Sequence, residues 1–313
     1  MALPVVHYLL QPQLVVLLLL VLSATAVHLR GRVRLKFARQ LTDHSTFVAP
    51  YNAFAYLASK APNRPFLEAD RFPELRRLTD NWQVIREEGL KLLDEGMVRE
   101  ATGNNDIGFH TFFKRGWRRF YLKWYDAPQP SAERLCPKTV ALLREVPSVH
   151  GAMFATLPPG GRLGAHRDPF AGSLRYHLGL RTPNSDACWI EVDGRRYSWR
   201  DGEAVMFDET FVHTAENATD VNRLILFCDV ERPMWGPAAS VNRFVMRHVM
   251  RATATQNEEG ERIGAINRAF GVIFRIKDAG QRLKARNRRL YYTLKYALIA
   301  GVLALVLWPY RGA

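Results

Sequence analysis

Hydrophobic and polar positions divide this chain into three zones with different periods. Residues 1–29 contain no Asp, Glu, Lys or Arg, and 14–22 are entirely Leu and Val. A second apolar run, 290–308, is interrupted only by Lys295. Each supplies roughly 20 helical residues, enough to span a bilayer. Between them, apolar residues within 72–100 (Leu75, Leu78, Trp82, Ile85, Leu90, Leu93) recur at near-helical spacing and predict a helix. From about 108 the period shortens. The segment 117–125 (WRRFYLKWY) is aromatic-rich and strand-like, and Pro158-Pro159-Gly160-Gly161 forces a turn after a strand at 153–157. In 174–180 (LRYHLGL), Arg175, His177 and Gly179 alternate with Leu174, Tyr176, Leu178 and Leu180, which puts the two sets on opposite faces. Strands at 188–192 and 195–199 flank Asp193-Gly194, which favours a type I′ hairpin turn. Strands at 202–207 and 223–230 complete the set, and the chain turns helical again after about 240. Short strands at this density predict a mainly β sandwich or jelly roll, not a parallel sheet.

Charge changes the picture at the ends. The chain of 313 residues carries a formal net charge of +14. Residues 30–39 contribute +5 and residues 275–295 contribute +7, so the remainder is near neutral. The basicity is local and borders the apolar runs, which argues for a membrane surface and against nucleic acid. Both clusters lie on the side of the central region. The positive-inside rule therefore predicts residues 30–289 in the cytoplasm, held at an inner membrane. Two rival readings stay open. Ala24-Thr25-Ala26 resembles a signal-peptide processing site, although no basic segment precedes it and five positive charges follow. The second run is also compatible with an interfacial helix. Tyr291, Tyr292, Trp308 and Tyr310 suit a membrane interface, and Lys295 is long enough to snorkel. Cys136, Cys188 and Cys228 form no spaced cluster, as expected in a reducing compartment. The resulting division is a transmembrane helix 1–29, a basic connector 30–65, a catalytic domain 66–240, a basic helical segment 241–289 and a transmembrane or membrane-associated helix 290–310.

Candidate chemistry converges on one constellation. His166-Arg167-Asp168 is a His-x-Asp after the Pro-Gly turn, and residues two apart on extended chain point the same way. His213 lies 47 residues later in FDETFVHT. Two histidines and a carboxylate form a facial set that suits non-haem iron. Arg223, ten residues beyond, is a candidate for the far carboxylate of a dicarboxylic co-substrate. Arg175 and His177 share one strand face, where a charged group inside a small barrel needs a partner. Arg115, Arg118, Arg119 and Lys123 interleave with Phe113, Trp117, Phe120 and Trp124, a candidate surface for a phosphorylated lipid.

PGGRLGAHRD, SLRYHLGL, WRDGEAVMFDETFVH and NRLILFCDVERP together resemble the aspartyl/asparaginyl β-hydroxylase family of 2-oxoglutarate dioxygenases. HLRGRVRLKFARQLTDHSTFVAP, HRDPFAGSLRYHLGL and DVERPMW make the chain similar to that family's bacterial membrane branch, the lipid A hydroxylases, over at least residues 28–235. The resemblance implies a double-stranded β-helix that holds Fe(II) at His166 and His213, with 2-oxoglutarate contacts from Arg175, His177 and Arg223. It also implies O2-dependent hydroxylation at C2 of a secondary acyl chain of lipid A, with succinate and CO2 as co-products. Animal relatives have glycine at the position of Asp168, and a serine that contacts the co-substrate there aligns with Ala155, leaving Thr156 or water to substitute. An ornithine-lipid or other acyl-lipid hydroxylase, a protein Asp/Asn hydroxylase and a non-catalytic membrane scaffold are the competing expectations.

Overall fold

The structure is a computed structural model that describes residues 11–101 and 106–307. Its first element, α1 (Pro12–Leu29), is the apolar run, long and apolar enough to cross a bilayer by length and composition. The first ten residues of the expected membrane segment lie outside the described residues. A proline in the first turn suits its N-terminus, where backbone N–H groups have no intrahelical acceptor. The expected basic connector contains α2 (Ala49–Ala58), and β1 (Phe66–Leu67) and α3 (Trp82–Asp94) follow it. The predicted helix over 72–100 is thus shorter. Pro73 and its neighbours form only a 3-10 turn and a single helical turn before Trp82.

The strands that follow are β2 (Arg118–Trp124), β3 (Val149–Leu157), β4 (Arg162–His166), β5 (Ser173–Arg181), β6 (Cys188–Val192), β7 (Arg195–Ser198), β8 (Ala204–Phe207), β9 (His213–Asn217) and β10 (Arg223–Glu231), with helix α4 (Pro137–Arg144) between β2 and β3. They pair antiparallel in two sheets, β1-β8-β5-β10-β3-β2 and β4-β9-β6-β7. From β3 on, successive strands alternate between the two sheets except at the β6–β7 hairpin, which is the winding of a double-stranded β-helix, the expected jelly roll. Asp193 and Gly194 both have positive φ (51° and 80°), the I′ pattern expected between β6 and β7.

Alternation along β5 divides its neighbours as expected. Leu174, Tyr176, Leu178 and Leu180 join a core against the helices with Ile85, Leu92 and Leu143. Arg175 and His177 face the interior of the roll, which Met153, Leu163, Ile190, Trp199, Phe207, Ile225 and Phe227 also line. Helix α3 lies close on β3 because Gly89 has no side chain: a Cβ there would sit 3.0 Å from the ring of Phe154. Beyond β10 come α5 (Gly236–Val245), a π-helical turn, then α6 (Ala265–Arg286) and α7 (Arg288–Leu307), joined at Asn287. The expected C-terminal membrane segment is therefore helical as far as Leu307; Trp308 and Tyr310 lie outside the described residues.

Candidate metal and co-substrate site

His166 ends β4 and His213 begins β9, and the two residues face each other across that antiparallel pair. A register irregularity between Leu163 and His166 turns the imidazole into the roll. The two rings are 4.2 Å apart at their centroids. Asp168 follows on the loop after β4, its Oδ1 3.7 Å from His166 Nε2 and 3.9 Å from His213 Nε2. One ligand atom from each residue lies within 4.8 Å of the others.

The protonation states suit a cation. His166 Nδ1 donates to the Gly164 carbonyl at 2.7 Å, and His213 Nδ1 to the Phe211 carbonyl at 3.0 Å. Those bonds fix the hydrogen on Nδ1 and leave each Nε2 lone pair facing Asp168. Burial, with His213 alongside, pushes His166 down to about 3, and burial also lowers His213. Burial works against ionisation of Asp168, but the Arg175 guanidinium beside it leads the opposing influences and the carboxyl is held below its usual range. At neutral pH the cluster presents two neutral imidazoles and one carboxylate. That donor set and geometry fit a divalent transition ion with open positions.

The three remaining candidates behave differently. Arg175 is engaged: Nη2 bonds Asp168 Oδ2 at 2.8 Å, and Nε lies 3.1 Å from Asp229 Oδ1, off the hydrogen-bond line. Asp229 in turn accepts from the Tyr125 hydroxyl at 2.9 Å. Arg175 therefore orients the carboxylate of the cluster, besides lining the cavity. His177 is buried with neither ring nitrogen hydrogen-bonded, and burial drives its pKa well below the usual value. Arg223 is 2% exposed, makes no ion pair among the described residues, and lies over the Trp199 ring at 4.3 Å. Burial pushes it down to about 10, still a cation at neutral pH. A buried guanidinium without a counter-charge is costly, and a bound carboxylate relieves that cost. The cavity joining these groups encloses about 460 Å³ including its mouth, where Phe112 packs edge-on against His166.

Other expectations need correction. Arg119 was a candidate for lipid, but it is 1% exposed and paired with Asp106 at 3.1 Å beneath the Tyr121 ring; it braces the strand. Arg118 folds back on the carbonyls of Phe113 and Trp117, and burial lowers the pKa of Lys123. Arg115 alone of the four is openly exposed. Thr156 does not replace the serine, because alternation turns it to the helix-covered face with Phe154 while Ala155 faces the interior. Sequence reasoning missed Trp199, Phe227 and Asp229. The last two were within reach, since 223, 225, 227 and 229 share one face of β10.

Residues 79–233 match the family described as Aspartyl/Asparaginyl beta-hydroxylase. The ornithine lipid ester-linked acyl 2-hydroxylase of Rhizobium tropici is 32% identical over 194 residues, which cover 60% of this chain and 68% of that protein. The chain belongs to the aspartyl/asparaginyl β-hydroxylase family. The human aspartyl/asparaginyl beta-hydroxylase is 28% identical over 168 residues, 52% of this chain but only 22% of that relative. The family match spans α3 through β10 and so contains every candidate ligand. Among solved structures, a Pseudomonas putida prolyl-4-hydroxylase aligns with 50% of this chain and 88% of its own at 18% identity, with a TM-score of 0.33. In this member of the β-hydroxylase family, the matched span contains a group able to hold a metal ion, His166, Asp168 and His213.

Proposed function

We propose that the chain is an Fe(II)- and 2-oxoglutarate-dependent hydroxylase acting on an acyl chain of a membrane lipid. The observation that carries this reading is the pairing of two sites in one cavity. Two neutral imidazoles and a carboxylate converge on a metal-sized gap, and an unpaired guanidinium waits deeper in the same space. His166, Asp168 and His213 would hold the iron. Arg223 would take the far carboxylate of 2-oxoglutarate in a charge-assisted pair, while His177 offers a polar contact along the way. With both bound, iron supplies oxidation of an unactivated C–H bond by O2, coupled to decarboxylation of the co-substrate to succinate. The chain's own part is positional. Arg175 keeps Asp168 ionised and oriented, the two backbone carbonyls keep both Nε2 atoms unprotonated, and Phe109, Trp117, Ile190 and Phe227 keep water from the reacting carbon.

The lipid reading is supported by α1 and by the Rhizobium relative, whose name specifies an ester-linked acyl chain and position 2. Our preferred lipid is lipid A, hydroxylated at C2 of a secondary acyl chain at the cytoplasmic face of a bacterial inner membrane. The second reading is ornithine lipid, which the same relative favours. Arg115, with its exposed neighbour Lys114, is the part of the basic segment left to meet a headgroup. The purified chain should form succinate from 2-oxoglutarate only with Fe(II) present. His213→Ala should lose iron binding and succinate formation together; retained turnover would refute the ligand assignment.

A further inference from the structure

Between the two ligands of the His-x-Asp stands a residue that does not face the metal. Arg167 is fully buried, and its guanidinium makes no ion pair among the described residues. It binds backbone instead. Nη1 donates to the Val27 carbonyl at 2.8 Å and the Thr210 carbonyl at 3.3 Å, and Nη2 to those of Arg30 at 3.1 Å and His28 at 3.5 Å. Val27 and His28 belong to the last turn of α1, where carbonyls lack the regular i+4 N–H donor (Val27 accepts only the capping N–H of Arg30) and the helix dipole favours a cation. The Arg167 carbonyl is held in turn by His44 Nε2 at 2.7 Å.

A second arginine reaches the opposite ligand from the same helix end. The Arg30 guanidinium lies between the rings of Tyr56 and Phe211, at 4.0 and 3.8 Å. It bonds Asp208 Oδ2 at 2.7 Å and the Thr210 hydroxyl at 2.6 Å. Residues 208–211 lead directly into His213, and the Phe211 carbonyl is the acceptor that orients the His213 ring. The chain then turns through Gly31 at φ +85°, where a Cβ would sit 2.6 Å from Asp193 Oδ1 and 2.9 Å from Phe211. Asp193 accepts from the backbone N–H groups of Arg32 and Val33.

We propose that the C-terminal end of α1 is a structural part of the metal centre, clamped by Arg167 and Arg30 against the two ligand-bearing segments, so that metal affinity depends on the docked helix. Both arginines are positioning residues, and the inference rests on the metal reading above. The α1 helix is then more than a tether, because releasing it loosens β4 at His166 and the approach to His213 at once.

The test is Mn(II) titration of the full chain in detergent micelles, without co-substrate, following the electron paramagnetic resonance signal of free Mn(II). Arg167→Lys keeps the charge but loses the fork, and Arg30→Ala removes the stacked pair. Each should weaken Mn(II) binding about tenfold or more, as loss of a group orienting a ligand does, while far-ultraviolet circular dichroism stays that of wild type. Arg34→Ala, at an exposed position nearby, should bind like wild type. Wild-type affinity in both clamp variants would overturn the proposal, as would an equal loss in Arg34→Ala. Global unfolding of both clamp variants would also overturn it, because the effect is assigned to the ligand segments and not to the sheets. A wild-type chain that binds no Mn(II) would remove the metal reading itself, and the clamp with it.

Discussion

Arg175 and Arg223 are buried guanidinia lining one cavity, in opposite electrostatic surroundings. Arg175 meets Asp168 and Asp229, with Glu209 at 4.0 Å, whereas Arg223 has an aromatic ring beneath it and no acid. The free cation is the one fit to receive a dicarboxylate. Arg223→Lys keeps a charge but loses the planar fork, so KM for 2-oxoglutarate should rise about tenfold or more while Mn(II) affinity stays unchanged. An unchanged KM would remove Arg223 from the co-substrate site. The proximity of His166 and Asp168 was legible from their two-residue spacing, whereas His213, 47 residues on, was joined to them with the support of the family resemblance. Arg119 and Arg167 were not, because a charge in sequence looks the same whether it is solvated or buried against a carbonyl. Only the fold supplies Asp106 to the one and the end of α1 to the other.

Among elements, strands with strong alternation were readable to within a few residues: β2, β5, β6, β7 and β10. Strands β4 (RLGAH) and β9 (HTAEN) were not, because neither carries a β-branched or aromatic run and both hold their shape by pairing with each other. These are the two strands that present the histidines. What joins elements here is also ionic. Asp208, after β8, bonds Arg30 at 2.7 Å and Arg232, after β10, at 2.8 Å. Burial opposes its ionisation, but the two arginines overcome that and hold its pKa well below the usual range. A carboxyl depressed in the folded state stabilises the fold above its unfolded pKa, and that contribution is lost as pH falls toward the folded value. Asp208→Asn should therefore cost about 3 kcal/mol at pH 7, the scale for leaving buried charges unpaired. In denaturant melts the gap to wild type should shrink by about 1 kcal/mol between pH 5 and pH 3. A gap independent of pH would mean that Asp208 acts by packing or hydrogen bonding alone.

At the scale of the whole molecule, a jelly roll encloses the cavity and an apolar helix ends against the segment that carries His166 and Asp168. The jelly roll was expected from strand density and from the family resemblance. Its pairing order was not readable, because register between strands far apart in sequence is set by tertiary packing. The apolar run and the basic residues after it were plain from composition, yet their docking on the catalytic core was invisible. The Arg167 contacts run from a guanidinium to backbone carbonyls, which have no signature in the residue pattern, and those of Arg30 reach residues 178 and 180 positions away. We propose that this fold holds an iron-dependent lipid hydroxylase built on His166. The most direct test is mass spectrometry of lipid A from cells that carry the intact gene or the His166→Ala form. The account predicts one added oxygen on a secondary acyl chain, present only with the intact protein. The same shift on ornithine lipid alone would keep the chemistry and replace the preferred substrate, whereas no shift in any lipid would contradict the account.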